Sequence, residues 1–136
     1  MKYDSHNQYD GPGFPNMYAA YLWHEKRGFD ACEVCGWKPP VIRGVTSTRP
    51  LRILQLHHIT PRKCGGLDNH GNLVVLCPNC HRIAHGVWPI RRISDGSKFC
   101  RAPRTRRDFL SQLQAIVNST GLADELATNP KISEKV

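Results

Sequence analysis

Two Cys-x-x-Cys pairs are the most regular feature among the residues that can do chemistry. They are Cys32 with Cys35 and Cys77 with Cys80. Two tight turns of this kind present four thiolates to one tetrahedral Zn²⁺, and four protein ligands leave no coordination position open. The spacing therefore predicts a structural zinc site. The alternative is a set of buried or disulfide-bonded cysteines that happen to be so spaced.

Four of the seven histidines form a second group, with His57 next to His58 and with His81 four positions before His85. Residues four apart lie on one face of a helix, so His81 and His85 can bind one ion. Neighbours in a strand point to opposite sides, so one residue of the His57–His58 pair would join that ion and the other would have a different task. Three imidazoles leave a position open, which is typical of a catalytic site. The alternative is ordinary, partly buried histidines.

Short elements are predicted to carry these residues. Boundary residues and apolar periodicity indicate strands over 51–58 and 72–76, a short helix over 78–86 between Pro78 and Gly86, and flanking helices over 16–27 and about 106–119. Thr105 and Asp108 resemble a capping box at the start of the last helix. The loop after the first cysteine pair is expected to be exposed.

The composition favours a polyanionic partner. The 136 residues carry a formal charge of +8 and a pI near 9.5, although excess charge can equally serve solubility alone. No apolar run has the length of a signal peptide core or a membrane span, so a cytoplasmic protein with no membrane partner is expected. In a reducing compartment, cysteines bind metals more often than they form disulfides. Cys64 and Cys100 are then free thiols.

Taken together, the segments CEVCG and LQLHHITPRKCGGLDNHGNLVVLCPNCHRIAHG resemble the HNH nucleases, also called ββα-metal nucleases, over about residues 32–86. The resemblance implies a small α+β fold with a ββα-metal core of a two-stranded hairpin and a helix, a structural zinc knuckle, and flanking N- and C-terminal helices. It places one domain over 1–136, with an N-terminal segment and helix (1–31), the nuclease core (32–87), and a basic arm and C-terminal helix (88–136).

The resemblance also implies roles. His57 resembles the first ligand of a catalytic ion, His58 the general base that activates water, and Asn72 the residue that holds that base across the loop. His81 resembles the family's last histidine, and His85 an additional ligand like that of the colicin-type DNase toxins. The ion is expected to be Zn²⁺, Ni²⁺, Mn²⁺ or Mg²⁺, and the products to carry 5′-phosphate and 3′-hydroxyl ends.

The function expected from these features is that of a metal-dependent DNA endonuclease acting as a monomer or a homodimer. DNA would be bound mostly through its backbone, by basic residues that follow the two halves of the site: Arg62, Lys63, Arg91, Arg92, Arg101, Arg104, Arg106 and Arg107. The alternatives are a zinc-stabilised nucleic-acid-binding module without cleavage activity and a structural protein. His70 is interpreted as a solvated loop residue, and Gly65 and Gly66 as turn residues or points of close backbone approach.

Overall fold

The computed structural model describes residues 8–39 and 53–120. In chain order the elements are α1 (Met17–Lys26), β1 (Gln55–His58), β2 (Leu73–Leu76), α2 (Pro78–Val87), β3 (Arg91–Arg92), β4 (Lys98–Phe99) and α3 (Arg106–Thr120). None of the described helices combines the length and apolar character needed to cross a bilayer. The predicted exposed loop after the first cysteine pair falls largely outside the described residues, as does the predicted start of the first strand.

A short antiparallel hairpin lies at the centre, with Gln55 of β1 opposite Leu76 and His58 opposite Leu73. All four residues of β2 are buried. The strand predicted from residue 51 begins only at Gln55, because β2 ends at Leu76 and Pro78 already starts the next helix. The predicted ββα-type small α+β fold is confirmed, with shorter strands.

The ends of α1 and α2 follow from local capping. The side chain of Asn16 accepts a hydrogen bond from Ala19 N at 2.8 Å, and Cys77 is the N-cap of α2 with Pro78 in its first turn. The Tyr21 hydroxyl accepts a hydrogen bond from Leu56 N at 3.1 Å. This contact joins α1 to the edge of β1.

The helix α3 packs on the other elements through one buried stripe. Thr105 Oγ1 accepts a hydrogen bond from Asp108 N at 3.1 Å, which caps the helix as predicted. Phe109, Leu113 and Val117 are buried along its length, and they repeat at the spacing of one helix face. The core therefore includes a C-terminal element that lies outside the motif.

The basic run before α3 forms a second, very short hairpin and is not an extended arm. Arg91 pairs with Phe99 and Arg92 with Lys98. In the turn, Asp95 accepts hydrogen bonds from both the backbone and the hydroxyl of Ser97. The basic hairpin, residues 91–99, was missed because two-residue strands carry almost no periodic signal.

Candidate active site

The cysteine cluster, Cys32, Cys35, Cys77 and Cys80, has the geometry of a tetrahedral metal site. All four sulfur atoms lie within 4.8 Å of one another, and the Sγ atoms of Cys35 and Cys77 are 3.7 Å apart. Ligands at about 2.3 Å from a tetrahedral Zn²⁺ have sulfur atoms about 3.8 Å apart. The donors therefore fit one zinc ion with four thiolate ligands.

Local backbone geometry forms each half of the cysteine cluster. Cys35 N lies 3.5 Å from Cys32 Sγ, and Cys80 N lies 3.4 Å from Cys77 Sγ, so each first sulfur accepts a backbone hydrogen bond. Gly36 has a φ of +80°, a backbone conformation that residues other than glycine rarely adopt. Its N–H donates a hydrogen bond to Cys32 O. Each turn is thus determined by a few consecutive residues.

The four thiols of the cysteine cluster lie close enough to change one another's pKa. Hydrogen bonds from Cys77 and Cys80 hold the pKa of the Cys32 thiol well below its usual range. The same contact to Cys32 raises the pKa of Cys80, and burial raises that of Cys35 to about 11. Without a cation the cluster keeps protons that a divalent ion must displace on binding.

A buried ion pair joins the first knuckle to the rest of the core. Glu33 accepts a hydrogen bond from Val75 N at 2.7 Å and another from the Arg106 guanidinium, which also contacts Leu73 O. Burial raises the pKa of Glu33 even though Arg106 opposes this. Arg106 was predicted to contact DNA, but it is only 7% exposed and is held by Glu33. That prediction is wrong, because the guanidinium is part of the core.

The histidine cluster, His57, His81 and His85, brings one nitrogen of each ring within 4.8 Å of the others. The Nε2 atoms of His81 and His85 are 3.0 Å apart, close to the separation of about 3.3 Å for two nitrogens on a tetrahedral Zn²⁺. The Gln55 side-chain oxygen accepts a hydrogen bond from His81 Nδ1, which directs Nε2 of that ring to the shared point. The three nitrogens fit one ion.

Burial keeps two of these rings neutral and ready to act as ligands. Desolvation lowers the pKa of His57 to about 3 and that of His81 to about 4. The Phe109 ring of α3 stacks on the His57 ring at a centroid distance of 5.2 Å. The unprotonated form is the form that binds metals. The apolar contact from α3 therefore favours ligation as well as packing.

His58 leaves β1 towards the loop and not towards the histidine cluster, as expected for adjacent strand residues. Its Nε2 lies 2.7 Å from Asp68 Oδ1. The Arg62 guanidinium donates hydrogen bonds to both oxygens of the same carboxylate. The contacts from Arg62 and His58 together lower the pKa of Asp68. The sequence interpretation overlooked Asp68, although an acidic residue between the paired histidines and Asn72 was an available signal.

Asn72 bridges the two ends of the base loop, residues 59–72. Its side chain accepts a hydrogen bond from Thr60 N at 2.8 Å and donates to Thr60 O and Leu67 O. A Cβ on Gly66 would lie 1.7 Å from Thr60 O and 2.9 Å from Asn72 Nδ2. Gly66 is therefore required for close approach of the two sides, and the loop closes beside His58.

The segment that carries both clusters is similar to known proteins. Residues 32–86 match the family model described as HNH endonuclease. Over this segment the chain is therefore similar to the HNH endonucleases. The chain is also similar to the type IV methyl-directed restriction enzyme EcoKMcrA of Escherichia coli strain K12, with 38% identity over 69 residues. That match covers 51% of this chain and 23% of the enzyme, so the chain spans less than a quarter of its relative's length.

His70, within the HNH segment, does not occupy the solvated position predicted for it. It is fully buried, and its Nδ1 lies 3.0 Å from His24 Nε2. The rings of Trp23 and Phe29 lie around it at centroid distances of 4.9 and 5.3 Å. The prediction was wrong because it considered only the polar loop and not the aromatic face of α1 that covers it.

Most of the predicted DNA-binding cations are exposed, either within the HNH segment or directly after it. These are Arg62, Lys63, Arg91, Arg92, Arg101, Arg104 and Arg107. Lys63, Arg92 and Lys98 line one shallow depression together with Ile90. The depression joins the base loop to the basic hairpin, so cations from two separate segments converge on one surface.

Proposed function

We propose that this protein is a metal-dependent endonuclease that hydrolyses phosphodiester bonds in DNA, with His58 as general base. The observation that carries the proposal is the arrangement of three imidazoles that could hold one metal ion beside a fourth imidazole that points away from them. The match of residues 32–86 to the HNH endonuclease model supports it. The relative named as a restriction enzyme favours DNA as the substrate.

Two metals are proposed, with different tasks. The cysteine cluster would hold a structural Zn²⁺, since its four thiols fill a tetrahedral shell. The histidine cluster would hold one catalytic divalent ion, Zn²⁺, Ni²⁺, Mn²⁺ or Mg²⁺, and its three protein ligands leave room for a phosphate oxygen or water. When bound, that ion supplies Lewis-acid stabilisation of the charge that develops on the phosphate.

His58 would take the proton from the attacking water. A general base must keep a lone pair free, and His58 does so because its Nε2 is occupied by Asp68 and leaves Nδ1 for the proton. Asn72 and Gly66 hold the base loop closed beside it. Positioned proton transfer of this kind typically contributes about 10² to 10⁴ in rate.

DNA would be held through its phosphates by the exposed cations of the base loop and the basic hairpin. The depression lined by Lys63, Arg92 and Lys98 suits one phosphate group, because three positive side chains surround it. Replacing Lys63 or Arg92 by Gln should weaken binding and lower the slope of log K against log salt by about 1 each. Equal slopes for variant and wild type would argue against backbone contact.

A nicking assay on supercoiled plasmid tests the activity. Wild type and His58→Ala are compared in Mg²⁺, Mn²⁺, Ni²⁺ and Zn²⁺, with metal content and thermal unfolding measured for both. Wild type should cut, and His58→Ala should lose at least about a hundredfold in rate while it keeps its zinc and its fold.

Asp30→Asn is the matched control, because Asp30 is a surface residue paired with Lys38 at 2.9 Å. It should cut like wild type. If wild type binds DNA but cuts in none of the four metals, the protein is a zinc-stabilised nucleic-acid-binding module. If His58→Ala cuts normally, His58 is not the base. A monomer has one site, so cleavage of both strands would require two events or a homodimer.

A further inference from the structure

We propose that Asp68 is a positioning residue for His58: its carboxylate selects the tautomer of the ring and holds it towards the scissile phosphate. This inference rests on the proposed function and adds a residue to it. It is motivated by the 2.7 Å contact between His58 Nε2 and Asp68 Oδ1.

The chemistry of the two groups determines which nitrogen carries the proton. An ionised carboxylate can only accept hydrogen bonds, so a neutral His58 must carry its hydrogen on Nε2. Nδ1 then has the free lone pair. Contacts of this length between N–H and a carboxylate are charge-assisted and stronger than neutral ones. Without Asp68, a neutral imidazole can adopt either tautomer and rotate about its side-chain bonds.

Arg62 holds the carboxylate beside His58 through two contacts. Its Nε lies 3.0 Å from Asp68 Oδ1 and its Nη2 lies 2.9 Å from Oδ2. This paired contact restricts rotation of the carboxylate. The side chain of Asp68 is 27% exposed and that of His58 is 18% exposed, so both lie at the edge of the site and not in open solvent.

The N-terminal segment, residues 8–14, holds the backbone around Asp68. Phe14 N donates to Asp68 O at 2.8 Å, and Gly13 forms a β-bridge with Asn69. Two further hydrogen bonds from the base loop, at 3.0 and 2.8 Å, end on backbone oxygens of this segment. The position of the carboxylate is thus determined from the backbone as well as from Arg62, as a group that aligns another side chain requires.

A purely structural role would predict different behaviour. If the Arg62–Asp68 pair only stabilised the loop, its loss would change the unfolding temperature and leave the His58 tautomer as it is. An exposed pair of this kind contributes little stability. The test therefore needs a measurement that reports on the ring itself.

The experiment compares wild type, Asp68→Ala, Asp68→Asn and the control Asp30→Asn. Nicking kinetics are measured in the metal that supports wild-type cutting, and the His58 tautomer is read from the ¹⁵N chemical shifts of the ring nitrogens in the intact protein. Asp68→Ala should lower kcat about a hundredfold with KM within about twofold, and should mix the two tautomers. Asp68→Asn keeps an acceptor oxygen and should lose only about tenfold. Asp30→Asn should match wild type.

Each outcome decides the question. Unchanged kcat and tautomer in Asp68→Ala would overturn the proposal. A loss of thermal stability with an unchanged tautomer would also overturn it, by showing a structural role only. If Asp68→Ala does not fold, the near-isosteric Asp68→Asn gives the same two measurements. If wild type itself does not cut, the endonuclease function fails, but the tautomer comparison still tests whether Asp68 orients His58.

Discussion

The cysteine cluster and the histidine cluster share a helix yet differ in how they are built. Cys80 and His81 are adjacent on α2, so consecutive residues serve different clusters. The cysteines come from two tight turns that form their own hydrogen bonds to sulfur. The histidines come from a strand and a helix, and the ring of Phe109 from α3 stacks on His57.

This difference is the one expected between the proposed structural metal site and the proposed catalytic metal site. Four ligands from local turns close a shell around an ion and leave it no further partner. Three ligands from a strand and a helix leave a position open, and the two elements must be aligned by packing between them. Loss of a cysteine should therefore disrupt the whole fold, whereas changes at the histidine cluster should leave the cysteine cluster intact.

The largest effect is expected from Cys77→Ser. Cys77 is both a predicted zinc ligand and the N-cap of α2, so its loss should remove the zinc and the fold together, since structural zinc contributes about 10–16 kcal/mol in small domains. Zinc content and circular dichroism measure this. Cys64→Ser, at a thiol outside the cluster, should retain both. A folded, zinc-loaded Cys77→Ser would show that the cysteines do not hold the structural ion.

A smaller and more selective effect is expected from His81→Ala. It should abolish binding of the second ion and plasmid cutting, but leave one tightly bound zinc and a cooperative unfolding transition. Metal analysis after dialysis and calorimetric titration with Ni²⁺ measure both sites. Arg82→Ala, at the neighbouring exposed position, should keep both ions. Loss of all metal from His81→Ala would mean that the two clusters are not independent.

The dependence of the histidine cluster on α3 is tested by Phe109→Ala beside Leu113→Ala. Both side chains are fully buried on the same helix, and each truncation should cost about 2–5 kcal/mol of unfolding free energy. Only Phe109 stacks on His57, so only its loss should weaken Ni²⁺ binding, by about tenfold. Equal metal affinities in the two variants would show that α3 supports the fold without aligning His57.

The smallest effect concerns His24, a buried histidine outside both clusters. Burial lowers its pKa to about 4, so the unfolded chain takes up a proton below pH 6.5 that the folded chain resists. The contribution of neutral His24 to the free energy of unfolding is fully present above pH 6.5. It should fall by about 3 kcal/mol as the pH approaches 4.

Urea unfolding of wild type and His24→Phe over this pH range measures the contribution. Loss of metal in acid should lower the free energy of unfolding of both proteins equally, so the difference between the two curves reports on His24. The curve of the variant should be flatter by about 2 kcal/mol between pH 6.5 and 5. Parallel curves would mean that His24 does not resist protonation, and that the low pKa of a buried imidazole is not general in this fold.

Sequence alone was sufficient for features that depend on local spacing. The two cysteine turns, the helical pair His81 and His85, and the Thr105 cap each follow from residues a few positions apart. The burial of His70 and the core position of Arg106 could not be derived in this way. Each depends on a partner far along the chain, namely α1 or Glu33, and single-sequence patterns do not contain such pairings. Asp68 lies only ten residues from His58 and was overlooked although it was within reach of a local reading.

The ion pair between Glu33 and Arg106 has a consequence for how this protein can be divided. A fragment ending at Gly86, where the family match ends, would leave Glu33 as a buried carboxylate without its cation and uncover the stacked face of His57. Unpaired buried charges cost several kcal/mol. A segment transferred intact by gene fusion or domain exchange must therefore include α3. The end of the sequence match at Gly86 is not a suitable end for such a segment.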